Sequence, residues 1–541
     1  MSIEPSLSNK LFDYIIVGGG TAGCILANRL SADGKHQVLL LEAGEKNKHP
    51  WISIPAGFSK LLTHETFNWR FQSQPEENTL QRQIAIPRGK GLGGSTLING
   101  MIYVRGIAED FDGWAEQGAT GWSFAQVAPY FKKLEHYLPP AGQYADPARG
   151  LDGPLYIVEE SERHPLTSAF IKSAQRHGLP LNPDYNVGAQ LGVGYYQVVK
   201  KNGRRWHVAD AYIEPARGRK NLHIVTGFLA HRLLFENQKC IGVQGAAAGK
   251  THVFRAGKEV IVSAGAIQSP QLLELSGIGS KERLQALGIE VVRDLPAVGE
   301  NYIDHYCTRM NWRLQGITTL NEQTRGLALV KEVMKYAFLR RGALSLGTGL
   351  VYGFVKSDPD LPLADVQFFF VHASYANAAE RILDKAPGMT IGVAQLRPQS
   401  VGSIHIAKND IHAQPLIKPN FLSAQTDRES LIGGMKVARD IVGTAPLRQY
   451  VAQEISPGSA VVSDEEWLQF ARENGQTIYH PIGTCRMGTD ANTVVDPELR
   501  VRGVQGLRVV DASIMPAMVS GNTQAAVMMI AEKAADHILS R

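Results

Sequence analysis

Residues 12–43, FDYIIVGGGTAGCILANRLSADGKHQVLLLEA, constrain the fold more than any other stretch of this chain. They read as an apolar strand, a Gly18-x-Gly20-x-x-Gly23 turn, a helix of small and aliphatic residues, and a second strand ending in an acid, Glu42. Gly18 lets the chain leave the strand sharply, Gly20 lets backbone approach a pyrophosphate, and Gly23 lets the helix pack close to the strand. The helix start offers free N–H groups and a positive dipole end to phosphates. Glu42 stands 24 positions after Gly18, where a carboxylate accepts from ribose hydroxyls. Glycine clusters also make ordinary turns; the full strand–turn–helix–strand–acid order points to a dinucleotide. The motif alone does not separate FAD from NAD.

A chain of 541 residues exceeds one ordinary core, so two or more domains are expected. The net charge is only +5 and no dense basic tract occurs, which argues against a nucleic-acid binder. The four cysteines, Cys24, Cys240, Cys307 and Cys485, are far apart and form no CxxC, so no metal site is expected and a reducing, cytoplasmic location fits. Residues 1–10 show no basic-then-apolar leader, and no apolar run is long enough to span a bilayer.

After the opening unit comes a glycine-dense stretch, PRGKGLGGSTLINGMIYVRG (residues 87–106), too apolar for a solvated linker. Short alternating runs over residues 151–199 suggest an antiparallel sheet, and residues 221–245 read as consecutive strands turning near Asn237. A buried strand is expected at Glu259 to Ser263, followed by a helix starting near Ser269-Pro270. Further strand-like runs are TRMNWRL, DVQFFFVHA, MTIGVAQL and GSIHIA. Residues 325–341 show helical spacing, with Leu327, Val330, Met334, Ala337 and Phe338 on one face. That face reads as packed on the sheet; the alternative is peripheral contact with a membrane or partner. The tail returns to a strand, GLRVVDAS, and a helix of small apolar residues. No second dinucleotide unit is found, so the electrons are expected to come from a small substrate rather than a nicotinamide.

GKGLGGSTLINGMIYVRG, GAIQSPQLLELSGIG, VGENYIDH, YHPIGTCRMG and the tail from Val494 together resemble, in order, the landmarks of the glucose–methanol–choline (GMC) oxidoreductases, nearest the bacterial choline- and alcohol-dehydrogenase-like branch. The resemblance implies an α/β fold: a Rossmann-like FAD-binding domain with an α+β substrate domain built on an antiparallel sheet. The pieces would be 1–150, 216–305 and 471–541 for FAD, and 151–215 and 306–470 for substrate. Gly18, Gly20, Thr21, Ala22 and Gly23 would hold the pyrophosphate. Glu42, with Ala43 beside it, would hold the adenosine ribose. Trp69 and Ala230 would sit near adenine, and Gly93, Gly94, Ser95, Asn99, Gly100, Met101 and Ile102 along the flavin. Asp511, Ala512, Thr523 and Asn522 would close the ribityl and pyrimidine side, with Tyr479 next to the base. Some members bind FAD covalently through a histidine just before the residue matching Asn99; here Ile98 stands there, so non-covalent FAD is expected.

The activity implied is oxidation of a primary alcohol to an aldehyde. His480, by its match to the family's base, takes the hydroxyl proton, and Asn522 orients the oxygen. Electrons would pass to O2 or a quinone-type acceptor. Met101, Tyr103, Tyr352 and the Phe368-Phe369-Phe370 run suggest an apolar or aromatic pocket for aliphatic or aryl alcohols; because strand neighbours alternate, at least one of the three phenylalanines must be core. Asp304 and His305 read as structural, and Cys485 as packing. A FAD-containing lyase that cleaves cyanohydrins is the alternative on the same fold.

Overall fold

The computed structural model describes residues 7, 10–377 and 381–540. The opening residues, on which the expectation of no leader rests, lie almost wholly outside that range. The strand Leu11–Val17 lies between Val38–Glu42 and Lys250–Val262, all parallel. Leu222–Thr226 extends the sheet beyond Val38–Glu42, and Leu507–Val509 lies beside Lys250–Val262, again parallel. An antiparallel hairpin, Phe228–Glu236 and Lys239–Ala247, completes it. Its strands thus come from three distant stretches of chain. Their continuous apolar runs reflect burial on both faces. The helix Thr21–Leu30 packs on the sheet and against Gln524–Leu539, whose alanines allow a close approach.

One boundary differs from the sequence reading. The strand expected at Glu259 begins at Lys250, and the helix expected near Ser269-Pro270 begins at Gly265. Pro270 therefore lies inside the helix, where it cannot donate to the carbonyl four residues back. That carbonyl, of Ala266, accepts instead from the Thr484 hydroxyl at 2.6 Å.

The second large sheet is antiparallel, in the order Val451–Ser456, Tyr306–Leu314, Gly388–Gln395, Val366–Val371, Val351–Val355, Gly192–Tyr195. The helix Gln425–Gly443 covers its outer face. Of the three adjacent phenylalanines, Phe368 and Phe370 belong to the core between that helix and the sheet, while Phe369 points the other way. The run GSIHIA forms Ser403–His405, which pairs with Leu416–Lys418 outside this sheet.

The helix Gly326–Leu339 contradicts the expected packing. It rests on the body through Glu332, which accepts from the Ala343 N–H at 2.7 Å, and Tyr336, which donates to the Gly203 carbonyl at 3.3 Å. Leu327, Val330, Met334, Ala337 and Phe338 face solvent, Leu327 being 88% and Phe338 76% exposed. Among the described residues no helix is long and apolar enough to cross a membrane.

Candidate active site

Both sheets contribute to one cavity, which opens at the carboxyl end of Leu11–Val17. Gly18 leaves that strand at φ +105°, where a Cβ would lie 2.4 Å from the Ser263 carbonyl oxygen. At Gly23 a Cβ would lie 1.9 Å from the Gly18 oxygen, so helix and strand touch there. A Cβ on Gly20 would meet no protein atom closer than 3.9 Å: the space in front of it is cavity, as a phosphate cradle requires. The helix beginning at Thr21 has no side-chain cap, so its first N–H groups are available to an anion.

Glu42 is buried, and burial raises its pKa, opposed by N–H groups of Gly44, Gly19 and Gly91 at 2.7, 2.8 and 3.1 Å. A carboxylate has about four acceptor sites, so capacity remains for a hydroxyl on the cavity side. The Gly93 N–H donates to the Gly19 carbonyl at 2.7 Å, which packs the glycine-dense segment onto the phosphate turn.

At the other end, His480 follows Tyr479, which has φ +73°. The His480 N–H donates to Asp304 Oδ1 at 2.8 Å, and Asp304 Oδ2 accepts from Thr477 at 2.5 Å and Tyr302 at 3.2 Å. Burial pushes the Asp304 carboxyl up to about 6. The His480 ring meets His305, Nδ1 to Nδ1, at 3.0 Å, and His305 Nε2 lies 3.1 Å from the Leu396 carbonyl. A carbonyl only accepts, so His305 carries its hydrogen on Nε2 and offers bare Nδ1. His480 must then carry hydrogen on Nδ1, leaving the Nε2 lone pair free. Burial lowers His305 to about 4, which keeps it neutral and supports this tautomer. Burial, then the adjoining His305 ring, with which a second positive charge cannot be shared, and the Arg88 charge hold His480 well below the ordinary histidine range.

His480 Nε2 stands 3.3 Å from Asn522 Nδ2, while Gln367 donates to Asn522 Oδ1 at 3.3 Å and thereby orients the amide. Lone pair and amide donor thus converge where a hydroxyl can be held and deprotonated. Asn522 is not the helix cap: the final helix is Gln524–Leu539 and Thr523 is its N-cap.

A family model for GMC oxidoreductases matches residues 12–307 in its N-terminal part and residues 398–531 in its C-terminal part. The chain belongs to the GMC oxidoreductases. Its relatives include an alcohol dehydrogenase [acceptor] of Pseudomonas putida, 40% identical, covering 98% of this chain and 96% of that one. The mitochondrial choline dehydrogenase of Homo sapiens is also 40% identical, covering 98% and 90%. Among solved structures, pyridoxine 4-oxidase from Mesorbium loti superposes with TM-score 0.88 at 30% identity, covering 98% of this chain and 99% of that one. A formate oxidase of Aspergillus oryzae RIB40 superposes with TM-score 0.90 at 27% identity, covering 98% of each. This GMC oxidoreductase is an FAD enzyme acting on CH–OH donors.

The open face of Gly20 and the residual acceptor capacity of Glu42 fit the adenine dinucleotide. Of the residues expected to hold it, Gly18, Gly20, Thr21, Ala22, Glu42, Ala43, Trp69, Gly94, Ser95, Asn99, Gly100, Met101, Ile102, Ala230, Tyr479, Asp511, Ala512 and Thr523 line the cavity. Gly23 and Gly93 stand behind it and shape the turn. Asn99 is fixed by Arg205, which donates to its oxygen at 2.6 Å, and by donating to Gln524 at 2.6 Å.

The expected pocket composition is only partly right. Met101 and Phe369 line the cavity, but Tyr103 is buried against Glu135 and Tyr352 against the Asn182 carbonyl. Cys307, Arg309, Thr348, Tyr375 and Arg381 line it without having been singled out. His305, read as structural, touches His480. The signal for it is alternation: Cys307 and Arg309 share one face of the strand Tyr306–Leu314, and His305, just before that strand, continues the same two-residue spacing.

Proposed function

We propose that this GMC oxidoreductase oxidises a primary alcohol to its aldehyde, with His480 as the base. The observation that carries this reading is the Leu396–His305–His480–Asn522 chain of contacts, which leaves His480 Nε2 unprotonated in a buried site, its lone pair met only by a long 3.3 Å contact from the Asn522 amide that a substrate hydroxyl can replace. The hydroxyl proton passes to His480 Nε2, which its depressed basicity keeps unprotonated at neutral pH. Asn522 Nδ2 donates to the substrate oxygen and holds it within reach of the base. Burial excludes water from the same space. Residues 94–102 and Asp511 to Thr523 would hold the FAD, which would supply the hydride acceptor and the route for electrons to O2 or a quinone-type acceptor. Ile98 offers no atom for covalent attachment, so the FAD is held non-covalently and hot acid should release it. Nothing in the site favours the lyase alternative.

The test is anaerobic mixing of the holoenzyme with a panel of primary alcohols while flavin absorbance is followed. The parent should bleach. His480→Ala should keep its yellow cofactor but bleach about 10²–10⁴ times more slowly. Bleaching at the parental rate by the variant would remove His480 from this role.

A further inference from the structure

We propose that the substrate alcohol carries a carboxylate remote from its hydroxyl, held by Arg309 and Arg381. This rests on the alcohol-oxidising reading above and specifies its substrate. Both guanidiniums line the substrate end of the cavity. Arg309 Nη1 and Arg381 Nε are buried without a hydrogen-bond partner. No ion pair among the described residues involves either side chain. Among the described residues, the carboxylates lining the cavity are Glu42 and Asp511, both at the end of the Gly18–Gly23 turn and both held by N–H groups of that end. Asp511 accepts from the N–H groups of Gly265 and Ser513 and from the Ser269 hydroxyl. Burial, with the like charge of Arg381 beside it, depresses the Arg309 pKa. Both residues are half-buried, and Arg381 meets the Tyr479 hydroxyl and the face of the Tyr375 ring. Two guanidiniums facing one space with no carboxylate among the described residues beside them suit an anion, and a planar carboxylate matches the guanidinium fork.

Position sets the spacing. Arg309 stands four residues beyond His305 along an extended segment, about 13 Å at the backbone, and its side chain reaches part of the way back. The anion and the carbinol are therefore at opposite ends of a chain of several carbons. The same charges disfavour a quaternary ammonium alcohol.

The experiment compares 6-hydroxyhexanoate with 1-hexanol in anaerobic flavin reduction by the holoenzyme, and titrates hexanoate against the flavin spectrum as a non-oxidisable probe. The hydroxy acid should be preferred at least tenfold in kcat/KM. Arg309→Met should lower that preference at least tenfold, chiefly through KM, and weaken hexanoate binding similarly. A parent that prefers 1-hexanol, or a variant with an unchanged ratio, overturns the proposal. If neither alcohol reduces the flavin while hexanoate binds the parent and not the variant, the anion site stands and the alcohol-oxidising reading fails.

A different observation supports a second inference: the helix Gly326–Leu339 docks on a bilayer surface that carries anionic headgroups. Its polar face holds it to the body and its apolar face is exposed. Around that face stand Arg325, Lys331, Lys335, Arg340 and Arg341, while the one acid, Glu332, is buried. A two-fold contact with a second copy would set these cations against each other, whereas anionic lipid complements them. Arg325 also donates to the Leu383 and Asp384 carbonyls at 2.8 and 3.0 Å, next to Arg381, and Thr348 at the cavity follows the helix by nine residues. The helix is thus tied at both ends to segments that wall the cavity.

The holoenzyme should sediment with vesicles containing phosphatidylglycerol and much less with pure phosphatidylcholine, the difference falling with salt. A variant carrying Leu327→Glu and Phe338→Glu should stay in the supernatant yet reduce a soluble dye with alcohol at the parental rate. A parent that binds neither vesicle, or a variant that binds as well as the parent, overturns the inference. So does a parent that is dimeric in solution and becomes monomeric in the variant.

Discussion

A carbonyl has no proton to give, and this property of Leu396 decides where the hydrogen on His480 sits. Because the order runs carbonyl, His305, His480, the lone pair emerges on Nε2 and not on Nδ1. His305→Leu removes the acceptor for His480 Nδ1–H, leaves a buried donor without a partner and frees the ring to adopt the other tautomer. The expected loss is on the order of 10²-fold in kcat with KM little changed, since His305 is a positioning residue. His305→Asn, whose oxygen can stand in for Nδ1, should recover part of it; equal rates in all three enzymes would exclude the relay. The pH profile follows from the same burial. A base whose pKa is lowered works once unprotonated, so kcat/KM should stay flat through neutrality and fall only well below pH 6.5. His480 and Asn522 were legible because they stand in long motifs. His305 also stood in a motif, VGENYIDH, but read as structural, and Arg309 and Arg381 were not legible: one arginine among many has no local signature until a strand face or a loop aims it at a cavity.

Elements were more legible in kind than in extent. The strand–turn–helix at residues 11–30 is specified locally, by glycine geometry and an apolar run, and it forms as read. The helix around Pro270 begins earlier than its proline suggests, because a donor more than 200 residues away satisfies the carbonyl that proline abandons. No local pattern contains that information. Thr484→Val should cost about 1–3 kcal/mol, read as a lower denaturant midpoint at unchanged slope. In a Pro270→Ala background, which restores the helix N–H, the same substitution should cost markedly less; equal costs in the two backgrounds would show that the hydroxyl does not replace the missing donor. The helix Gly326–Leu339 teaches the opposite lesson. Its periodicity was plain, but periodicity shows that a helix has two faces and not which one is docked. Two residues, Glu332 and Tyr336, decided it through hydrogen bonds that hydropathy does not register.

Over the whole molecule, the alternation of dinucleotide-type and antiparallel stretches showed that the two sheets interleave along the chain; the ionic contacts that help hold distant segments together were invisible. Glu135, fully buried, accepts from Arg105 Nε at 2.6 Å, Arg149 Nε at 2.9 Å and the Tyr103 hydroxyl at 2.7 Å, and Arg149 reaches on to Asp184 at 2.8 Å. The cluster joins residues just after the cavity-lining segment 94–102 to the loop before Gly192–Tyr195. Burial opposes the Glu135 charge, but Arg105 and Arg149 outweigh it and hold the carboxyl below its ordinary 4.5. A carboxyl whose folded pKa is depressed contributes stability that is present above its unfolded pKa and lost as pH falls through the folded value. Glu135→Gln should therefore cost about 3–5 kcal/mol at pH 7, because it leaves the buried Arg105 guanidinium without its anion and Arg149 with Asp184 alone. The gap between parent and variant should narrow as pH drops below 4.5, where the unfolded parent chain takes up a proton that the folded carboxylate still refuses. Unfolding midpoints measured at both pH values decide it, and a gap that is small at pH 7 or constant with pH would mean that the cluster contributes packing and not charge.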